Sequence, residues 1–423
     1  MVWGLGVGYV ISGNYFGWNL GLQAGGTLGL AIATAFVILL YITFTYSYAE
    51  LACAIPKAGG AFDYAQKAMG ENWGFLAGMA QNIEFIFAPP AISLAIGSYM
   101  NLFYPTVGAT AFSVAAYLIF TGLNIYGVKA AAIVELTVTV IAVTGLIIFA
   151  STSIPHVSFA NLSHNSLPNG LSGIFAAIPF AIWFFLGIEG IGNLAEEAVD
   201  PKRTMSRGFL AALFTLITLC MLTFMGSVGA GGWEAVVMKS DGTTSDAPLP
   251  MALEIIQGSG GWAYTALVVV GLFGLVASFH GLMLAAGRSS FEFGKVIFPN
   301  SWIGKVHPRF QTPANALILN MGIGIIALFS GKTGEIITIS VFGALTLYAI
   351  SMISVIALRK NNPDLPRPFV IPFYPLFPIV ALAISLVAII AITVYNLALS
   401  LLFVLIIAVC FGIFKVRKKT AHA

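Results

Sequence analysis

The chain of 423 residues is 59% hydrophobic and only 8% charged, and its formal net charge at pH 7 is +3. A soluble domain carries roughly 25% charged residues, so this composition excludes an ordinary water-soluble fold and predicts a protein that uses lipid as its solvent. The small, dispersed positive charge gives no reason to expect nucleic acid as a partner. Without a CxxC pair, the cysteines indicate neither a zinc site nor a disulfide framework: they are Cys53, Cys220 and Cys410.

Apolar runs long enough to cross a membrane follow one another along most of the chain. About 20 apolar residues span a bilayer as a helix. Runs of that kind lie at residues 2–22, 27–52, 73–102, 107–126, 129–153, 171–196, 206–230, 262–290, 313–330, 334–358, 373–396 and 397–415. The sequence therefore predicts an all-α membrane protein of about twelve transmembrane helices, surrounded by the lipid bilayer.

Lysine and arginine are distributed unequally between the predicted loops. These residues favour the cytoplasmic side of a membrane. With the N-terminus in the cytoplasm, the outward loops hold only Lys239 and Lys332, and every other lysine and arginine falls on the inward side. We therefore predict a multi-pass protein of a bacterial plasma (inner) membrane, with both termini cytoplasmic. The outward segment 231–261 is expected to form short helices and a lid-like loop, and the inward segment 55–69 a short amphipathic or re-entrant piece.

Span 1 contains small and polar residues at its centre. Ser12, Gly13 and Asn14 follow Ile11 and have poor helix propensity. An unwound segment at this depth is tolerated only where it lines a cavity or is buried in protein, so these four residues are candidate binding positions. Close packing of small residues against another helix is the alternative reading. The glycine-rich start of the chain does not indicate nucleotide binding, because no strand precedes it.

Span 6 has a matching interruption. Pro179 cannot donate a helical hydrogen bond, and Gly187 and Gly190 flank Glu189, a carboxylate in mid-span where a charge is costly and usually functional. Trp183 lies one to two turns earlier, where an indole could cover a small cation or simply pack. Interrupted helices five spans apart indicate an inverted-repeat transporter with a site near the membrane midplane.

Span 3 places a carboxylate deep in the membrane. Glu84 lies about eleven residues into the span, roughly 16 Å from its start, near the centre of a hydrocarbon core about 30 Å thick. It follows Gln81 by one turn and precedes a kink at Pro89 and Pro90. A carboxylate at this depth needs a cation, a proton or a cluster of donors as its partner. Binding of substrate or proton and a hydrogen-bonded structural role both remain open.

Other polar residues give weaker signals. His280 in span 8 is either a proton relay or a hydrogen-bonded neutral imidazole. Glu50 and Glu135 lie near the inward ends of their spans, where we expect solvation, and Glu135 could pair with Lys129. The carboxylates at 196 and 197 are expected in a solvated loop, with gate salt bridges as the alternative. HExxH and GxSxG motifs are absent, so we expect no enzyme activity, no metal and no cofactor.

Several stretches resemble the amino acid–polyamine–organocation superfamily of transporters. They are Val10–Asn14, Tyr48–Leu51 with Pro56–Gly60, Trp183–Glu189 with Glu196–Pro201, Gly287–Ser290 and Val306–Pro313. The resemblance implies two inverted five-span repeats, at residues 1–153 and 171–358, followed by two peripheral spans at 373–415 and a cytoplasmic tail at 416–423. It also implies a substrate site between broken spans 1 and 6, closed by spans 3, 8 and 10.

Within this superfamily, Ser12–Asn19 and Asn82–Pro90 are most similar to bacterial ethanolamine permeases. The resemblance implies transport of a small organic amine, with its ammonium on Glu84 and on freed carbonyls of spans 1 and 6. The implied substrate site comprises Ile11, Ser12, Gly13, Asn14, Gln81, Glu84, Trp183, Phe185, Gly187 and His280, and the implied coupling or gating residues are Glu189 and Trp183. A neutral amino acid or diamine permease of the same superfamily is the alternative.

Two departures from the superfamily pattern affect this expectation. Amino acid transporters of this type use a Gly-Ser-Gly segment for the substrate carboxylate, whereas this chain has Ser12-Gly13-Asn14. Many also carry a lysine in span 5, where Ala142 stands here. Coupling through that lysine is therefore not expected, and proton, sodium or no coupling ion all stay open.

Overall fold

Long apolar helices build almost the whole molecule, as the hydropathy of the sequence predicts. The structure is a computed structural model that describes residues 2–127, 131–197, 200–297 and 301–421. Its helices are α1 (Val2–Val10), α2 (Ser12–Tyr15), α3 (Leu20–Ala54), α4 (Ala61–Met69), α5 (Glu71–Phe103), α6 (Ala109–Tyr126), α7 (Ala131–Ser153), α8 (Phe159–Ser163), α9 (Gly170–Trp183), α10 (Pro201–Gly231), α11 (Glu234–Val237), α12 (Pro248–Gln257), α13 (Trp262–Ile297), α14 (Ala314–Leu328), α15 (Thr333–Asn361), α16 (Leu376–Tyr395) and α17 (Leu397–Ala421). Two 3-10 helices lie at Ile154–His156 and Ile188–Glu197.

The predicted spans correspond to these helices. Within the described residues, ten helical segments are long and apolar enough to cross a membrane, and α14 is a shorter apolar helix. Span 1 is divided into α1, α2 and the first residues of α3, because α3 joins the end of span 1 to span 2 across a kink at Gly26 (φ +63°). The all-helical membrane fold is therefore confirmed, and the expected short helices of the 231–261 loop are α11 and α12.

The spans carrying the candidate residues pack together at the centre of the bundle. Helix α5 packs against α13 and α15, and α3 packs against α9 and α10. Helix α17 makes fewer contacts, with α15, α5 and α16, and side chains such as Leu401 on it are largely exposed. An apolar exposed face of this kind suits lipid.

The two ends of the bundle differ in their content of lysine and arginine. The end that carries Lys57, Arg203, Arg359 and Lys415 is called the basic side, and the end that carries Lys239 and Lys332 is called the opposite side. Helix α4 lies on the basic side, and α8, α11 and α12 lie on the opposite side.

The expectation that Glu50 is solvated is wrong. Its side chain is buried on the basic side, and Arg359 donates to both carboxylate oxygens, from Nε at 2.9 Å and from Nη2 at 2.6 Å. Arg367 Nε lies 3.4 Å from Oε1, and the Ile371 backbone N–H donates to Oε2 at 2.8 Å. The partners come from the end of α15 and the segment after it, so they enclose Glu50 only once the spans have assembled.

The other expected inward charges behave differently. Glu196 accepts a hydrogen bond from the Ala58 backbone N–H at 3.0 Å and stays exposed. The proposed partner of Glu135, Lys129, lies outside the described residues. Glu135 itself is buried in α7, with Oε2 4.0 Å from Nδ1 of His280. The expectation that Glu135 is solvated is therefore wrong.

Candidate functional site

Span 1 is interrupted at two points. Helix α1 ends at Val10, just before the predicted residues, and Ser12, Gly13 and Asn14 themselves are helical in the short α2. The chain leaves the helix again at Phe16, which is extended. Gly17 then adopts φ +88°, a left-handed conformation that only glycine reaches at little cost. The side-chain oxygen of Asn19 accepts the Gly17 N–H at 3.1 Å. The unwound part is therefore residues 16–19, because the positive φ requires Gly17.

A hydroxyl from span 8 interrupts the hydrogen-bond ladder of span 1 one turn earlier. Ser278 Oγ accepts from the Ser12 backbone N–H at 2.9 Å and donates to the Gly8 carbonyl at 2.6 Å. In an uninterrupted helix these two backbone groups would bond to each other. Insertion of a side chain into this ladder is a recognised cause of helix distortion. The freed backbone groups at Ser12 and Gly8 are thus held by α13.

Span 6 is interrupted as predicted. Helix α9 ends at Trp183, and the chain continues through a turn to the 3-10 helix Ile188–Glu197. Gly187 in this turn has φ +98°, again a conformation suited to glycine. Glu189 follows two residues later, so the break places its carboxyl group inside the bundle instead of along a regular helix.

The two interruptions lie against each other. A Cβ on Gly13 would come 2.2 Å from the Trp183 carbonyl oxygen, and a Cβ on Gly17 would come 2.4 Å from Trp183 Nε1. The rings of Phe16 and Trp183 meet edge to face at 5.5 Å. Gly13 and Gly17 therefore allow spans 1 and 6 to pack closely. The same packing places the interruptions of the two spans side by side.

Glu84 lies fully buried in α5. Both of its carboxyl oxygens lack a hydrogen-bond partner among the described residues. Its backbone is fixed by α15, since Ser340 Oγ donates to the Glu84 carbonyl at 2.8 Å. A Cβ on Gly343 would lie 2.6 Å from the Ala80 carbonyl oxygen, so the glycine allows α15 to pack directly on α5. The side chain is held in place while its charge stays uncompensated.

Glu189 faces Glu84 across the centre. The two carboxyl groups are neighbours that interact electrostatically, and the Gly187 backbone lies near both. Glu189 Oε2 accepts from the Tyr348 hydroxyl at 2.8 Å, and that hydroxyl is 3.0 Å from the Tyr41 hydroxyl. Two carboxylates this close cannot both carry their charge without compensation. The pair therefore provides a place for a proton or a cation.

Most of the remaining predicted residues lie at the interruptions of spans 1 and 6, and His280 has other neighbours. Asn14 and the Trp183 indole N–H are buried without hydrogen-bond partners in the described part of the chain, and Phe185 packs on Tyr41 with ring centroids 5.1 Å apart. Ile11 is buried without a polar contact of its side chain. His280 contacts Glu135 and the Phe120 ring, at 5.9 Å, so its contacts are with spans 4 and 5.

Sequence reasoning missed several residues that shape this site. They include Tyr41, Tyr348, Ser278 and Ser340, all of which bond to a broken span or to a central glutamate. Hydroxyl groups in apolar spans were the available signal, since each needs a partner in lipid surroundings. Their partners lie on distant spans, which the linear sequence does not reveal.

Comparison with known proteins places the chain among transporters. A family model described as amino acid permease matches residues 2–416. An uncharacterised transporter of Rhizobium meliloti is 28% identical over 395 residues, which cover 90% of this chain and 83% of that protein. A methylthioribose transporter of Bacillus subtilis is 25% identical over 404 residues, with coverage of 90% and 85%. A low-affinity putrescine importer of Escherichia coli is 27% identical over 384 residues, with coverage of 85% and 80%.

Proposed function

This chain belongs to the amino acid permease family of membrane transporters, and on that premise we propose that it carries a small organic amine, with ethanolamine as the best candidate. Transport proceeds by alternating access to the central site between broken spans 1 and 6. In this proposal the two inverted repeats are residues 1–153 and 171–358. The basic side faces the cytoplasm of a bacterium, in keeping with the preference of lysine and arginine for that side.

The observation that carries the proposal is the uncompensated Glu84. Within the described residues, neither of its carboxyl oxygens has a partner, although the side chain is fully buried. A buried charge is stabilised only by pairing and hydrogen bonds. A primary ammonium group supplies both a positive charge and N–H donors, so it would compensate Glu84 and the neighbouring Glu189.

Other groups around the pair suit the rest of such a molecule. Asn14 offers an unpartnered donor and acceptor for a hydroxyl group. Trp183 and Phe185 provide apolar walls, and an indole face attracts a cation. The site thus combines negative charge with neutral polar groups, which matches an amino alcohol better than a hydrocarbon amine.

A neutral amino acid or a diamine is the alternative substrate of the same fold. The putrescine importer among the relatives favours a diamine, which would also place an ammonium on Glu84. An amino acid would need donors for its carboxylate, and the interruption of span 1 offers fewer of them because Ser278 already bonds the Ser12 N–H.

Counterflow in proteoliposomes tests the proposal. Vesicles containing the purified protein and unlabelled ethanolamine should accumulate radiolabelled ethanolamine, and putrescine and neutral amino acids should compete weakly. Glu84→Gln keeps the shape of the side chain and removes its charge, so it should lower counterflow about 30-fold or more. Glu71→Gln, on the exposed start of the same helix, is the matched control and should retain wild-type counterflow.

Two results would contradict the proposal. Wild-type counterflow by the Glu84→Gln protein would remove Glu84 from the mechanism. Counterflow of amino acids or putrescine without ethanolamine would assign the site to the alternative substrate.

A further inference from the structure

A second group of polar side chains converges on the basic side of the glutamate pair. It consists of Tyr48 on α3, Tyr64 on α4, Gln81 on α5 and Asn193 on the 3-10 helix of span 6. Tyr48, Gln81 and Asn193 approach Gly60, and the Tyr64 ring packs on the Tyr48 ring with centroids 5.3 Å apart. We call these four side chains the inner cluster. All four are buried, with at most 4% of any of them exposed.

The inner cluster is rich in polar atoms without partners. Among the described residues, the hydroxyls of Tyr48 and Tyr64, the side-chain oxygen of Gln81 and both polar atoms of Asn193 make no hydrogen bond. Most buried polar groups of a folded protein are hydrogen-bonded, and exceptions need an explanation. Several exceptions that meet at one place indicate that something else binds there.

Gly60 shows where the polar atoms meet. A Cβ built on this glycine would lie 2.4 Å from Asn193 Oδ1, 3.3 Å from the Tyr48 hydroxyl oxygen and 3.4 Å from Gln81 Oε1. Gly60 has φ +57° and no side chain, and three oxygens approach it in the space that a side chain would fill. Gln81 Nε2 donates to Ser289 Oγ at 3.0 Å, which directs Oε1 towards this space.

Three acceptors around one point match the donors of one chemical group. A primary ammonium group has three N–H donors and no acceptor, as the lysine side chain shows. Gln81 lies one helical turn before Glu84 in α5, and Asn193 lies four residues after Glu189. The space beside Gly60 is therefore the next polar position that an ammonium would meet on leaving the glutamate pair towards the basic side.

We propose that the inner cluster is a second ammonium-binding site, through which the substrate passes between the glutamate pair and the basic side. This inference rests on the proposed function, because it needs an amine as the transported molecule. The neutral oxygens bind the ammonium more weakly than the carboxylates do, as a release position requires. Four different elements contribute to the site, so movement of spans 2, 3 and 6 would open or close it.

N-methylated substrates test the site, because each methyl group removes one N–H donor. The experiment measures counterflow of ethanolamine and choline in proteoliposomes, together with equilibrium binding of ethanolamine to purified protein. Tyr48→Phe and Asn193→Leu each remove an acceptor and should lower ethanolamine counterflow about fivefold or more. Equilibrium binding at Glu84 should change less than about twofold in the same proteins, since a release position affects passage more than occupancy.

The ratio of ethanolamine to choline counterflow separates a binding role from a structural one. Both variants should lower this ratio relative to wild type, because choline has no N–H to lose at the inner cluster. A fold defect would lower both rates together and leave the ratio unchanged. Tyr117→Phe is the matched control, since Tyr117 also has a buried hydroxyl without a partner among the described residues but lies on α6, where it packs on Phe279 of α13.

The outcomes are distinguishable. If wild type exchanges ethanolamine while Tyr48→Phe and Asn193→Leu match Tyr117→Phe in rate and ratio, the inner cluster holds water only and the inference is overturned. If wild type neither binds nor exchanges ethanolamine, the proposed function fails, and the inference fails with it. A fall in rate with an unchanged ratio would assign the cluster to structure and also overturn the inference.

Discussion

Glu50 and Glu84 are both buried glutamates of this bundle, and their surroundings are opposite. Around Glu50, Arg359, Arg367 and the Ile371 backbone N–H satisfy both carboxylate oxygens. Around Glu84, the described residues supply no hydrogen bond to either oxygen. Burial alone therefore does not separate a structural carboxylate from one that binds a ligand. The distinguishing feature is whether the protein itself supplies the compensating charge.

The contrast also distinguishes the role of the basic side of the bundle from the role of its centre. The Glu50 cluster joins the end of span 2 to span 10 and to the segment before α16, and the Arg359 guanidinium lies 4.1 Å from the centre of the Tyr374 ring. Its groups are fully used in holding these elements together. The groups around Glu84 are held in position by α15 and keep their polar atoms available. Stability and substrate binding should consequently respond to different substitutions.

The largest predicted effect concerns the stability of the Glu50 cluster. Glu50→Gln removes the negative charge and leaves two partly buried guanidinium groups without their carboxylate, so it should lower the free energy of unfolding by about 3 kcal/mol. Glu84→Gln removes a charge that the protein does not compensate, and it should leave the free energy of unfolding unchanged or raise it. Reversible unfolding in mixed micelles, followed by tryptophan fluorescence, measures both.

Glu71→Gln is the reference for that comparison. Glu71 pairs with Lys418 at the surface, and a surface ion pair contributes about 1 kcal/mol or less. Equal losses of stability for the variants at positions 50 and 84 would erase the distinction between them. A stable Glu50→Gln protein would show that the cluster on the basic side is not structural.

The second prediction concerns Ser278, whose hydroxyl satisfies backbone groups at the interruption of span 1. Ser278→Ala deprives the Ser12 N–H and the Gly8 carbonyl of their partner. They should then bond to each other and straighten span 1, which shifts Asn14 away from the glutamate pair. We expect ethanolamine binding to weaken about tenfold, as the loss of one hydrogen bond between Asn14 and the substrate predicts. Equilibrium binding to the purified protein is the measurement.

A serine with a purely local bond is the control. Ser385 in α16 donates to the Ala381 carbonyl of its own helix at 2.8 Å, and Ser385→Ala should leave ethanolamine binding unchanged. Wild-type affinity in the Ser278→Ala protein would mean that the interruption of span 1 does not depend on this hydroxyl.

Hydropathy and helix propensity predicted much of the fold, because both act locally. Runs of apolar residues located the spans, and Gly187 located the break in span 6. In span 1 propensity favoured residues 12–14, yet the chain unwinds at 16–19, where Gly17 can take a positive φ. Gly17 packs against Trp183 of span 6, and this contact between distant spans favours unwinding at residues 16–19 over residues 12–14.

Partners on distant spans could not be predicted in the same way. Arg359 lies 309 residues from Glu50 and Ser278 lies 266 residues from Ser12, so their contacts depend on how the spans assemble. A weaker signal was present for Glu50, because a carboxylate in an apolar span needs a cation and Arg359 ends a span on the same side. For Glu84 the predicted depth in the membrane agrees with the burial of its side chain, and its role in binding stays a prediction.

Asp246, on the opposite side, has fewer polar partners than Glu50 and more than Glu84. It lines an open cavity of about 710 Å³ together with Phe180, Lys239 and Thr333. Its Oδ2 accepts a hydrogen bond from Thr333 Oγ1 at 3.0 Å, and Lys239 is the nearby cation that favours its charged form. Desolvation outweighs both and raises the pKa of Asp246 to about 6. The neighbouring Ser245 carbonyl accepts from the Asn19 side chain at 2.8 Å, so this loop is attached to spans 1 and 10.

The smallest predicted effect is therefore a dependence of transport on the pH at this side. The pKa of Asp246 is raised from 3.8 to about 6 in the attached loop, so the neutral carboxyl group is favoured there. The attachment is therefore strongest below about pH 4 and weakens as the pH rises to about 6. Opening towards this side should become easier over the same range, and the initial rate of ethanolamine uptake should rise about twofold to threefold between about pH 4 and 6 and level off above about pH 6. Asp246→Asn stays neutral at every pH and should lose this component while Asp241→Asn, at an exposed position of the same loop, keeps it. Uptake is measured at a fixed pH on the basic side, so that only the pH on the opposite side changes. An identical pH profile for wild type and Asp246→Asn would show that Asp246, like Glu50, has a structural role and does not make transport depend on pH.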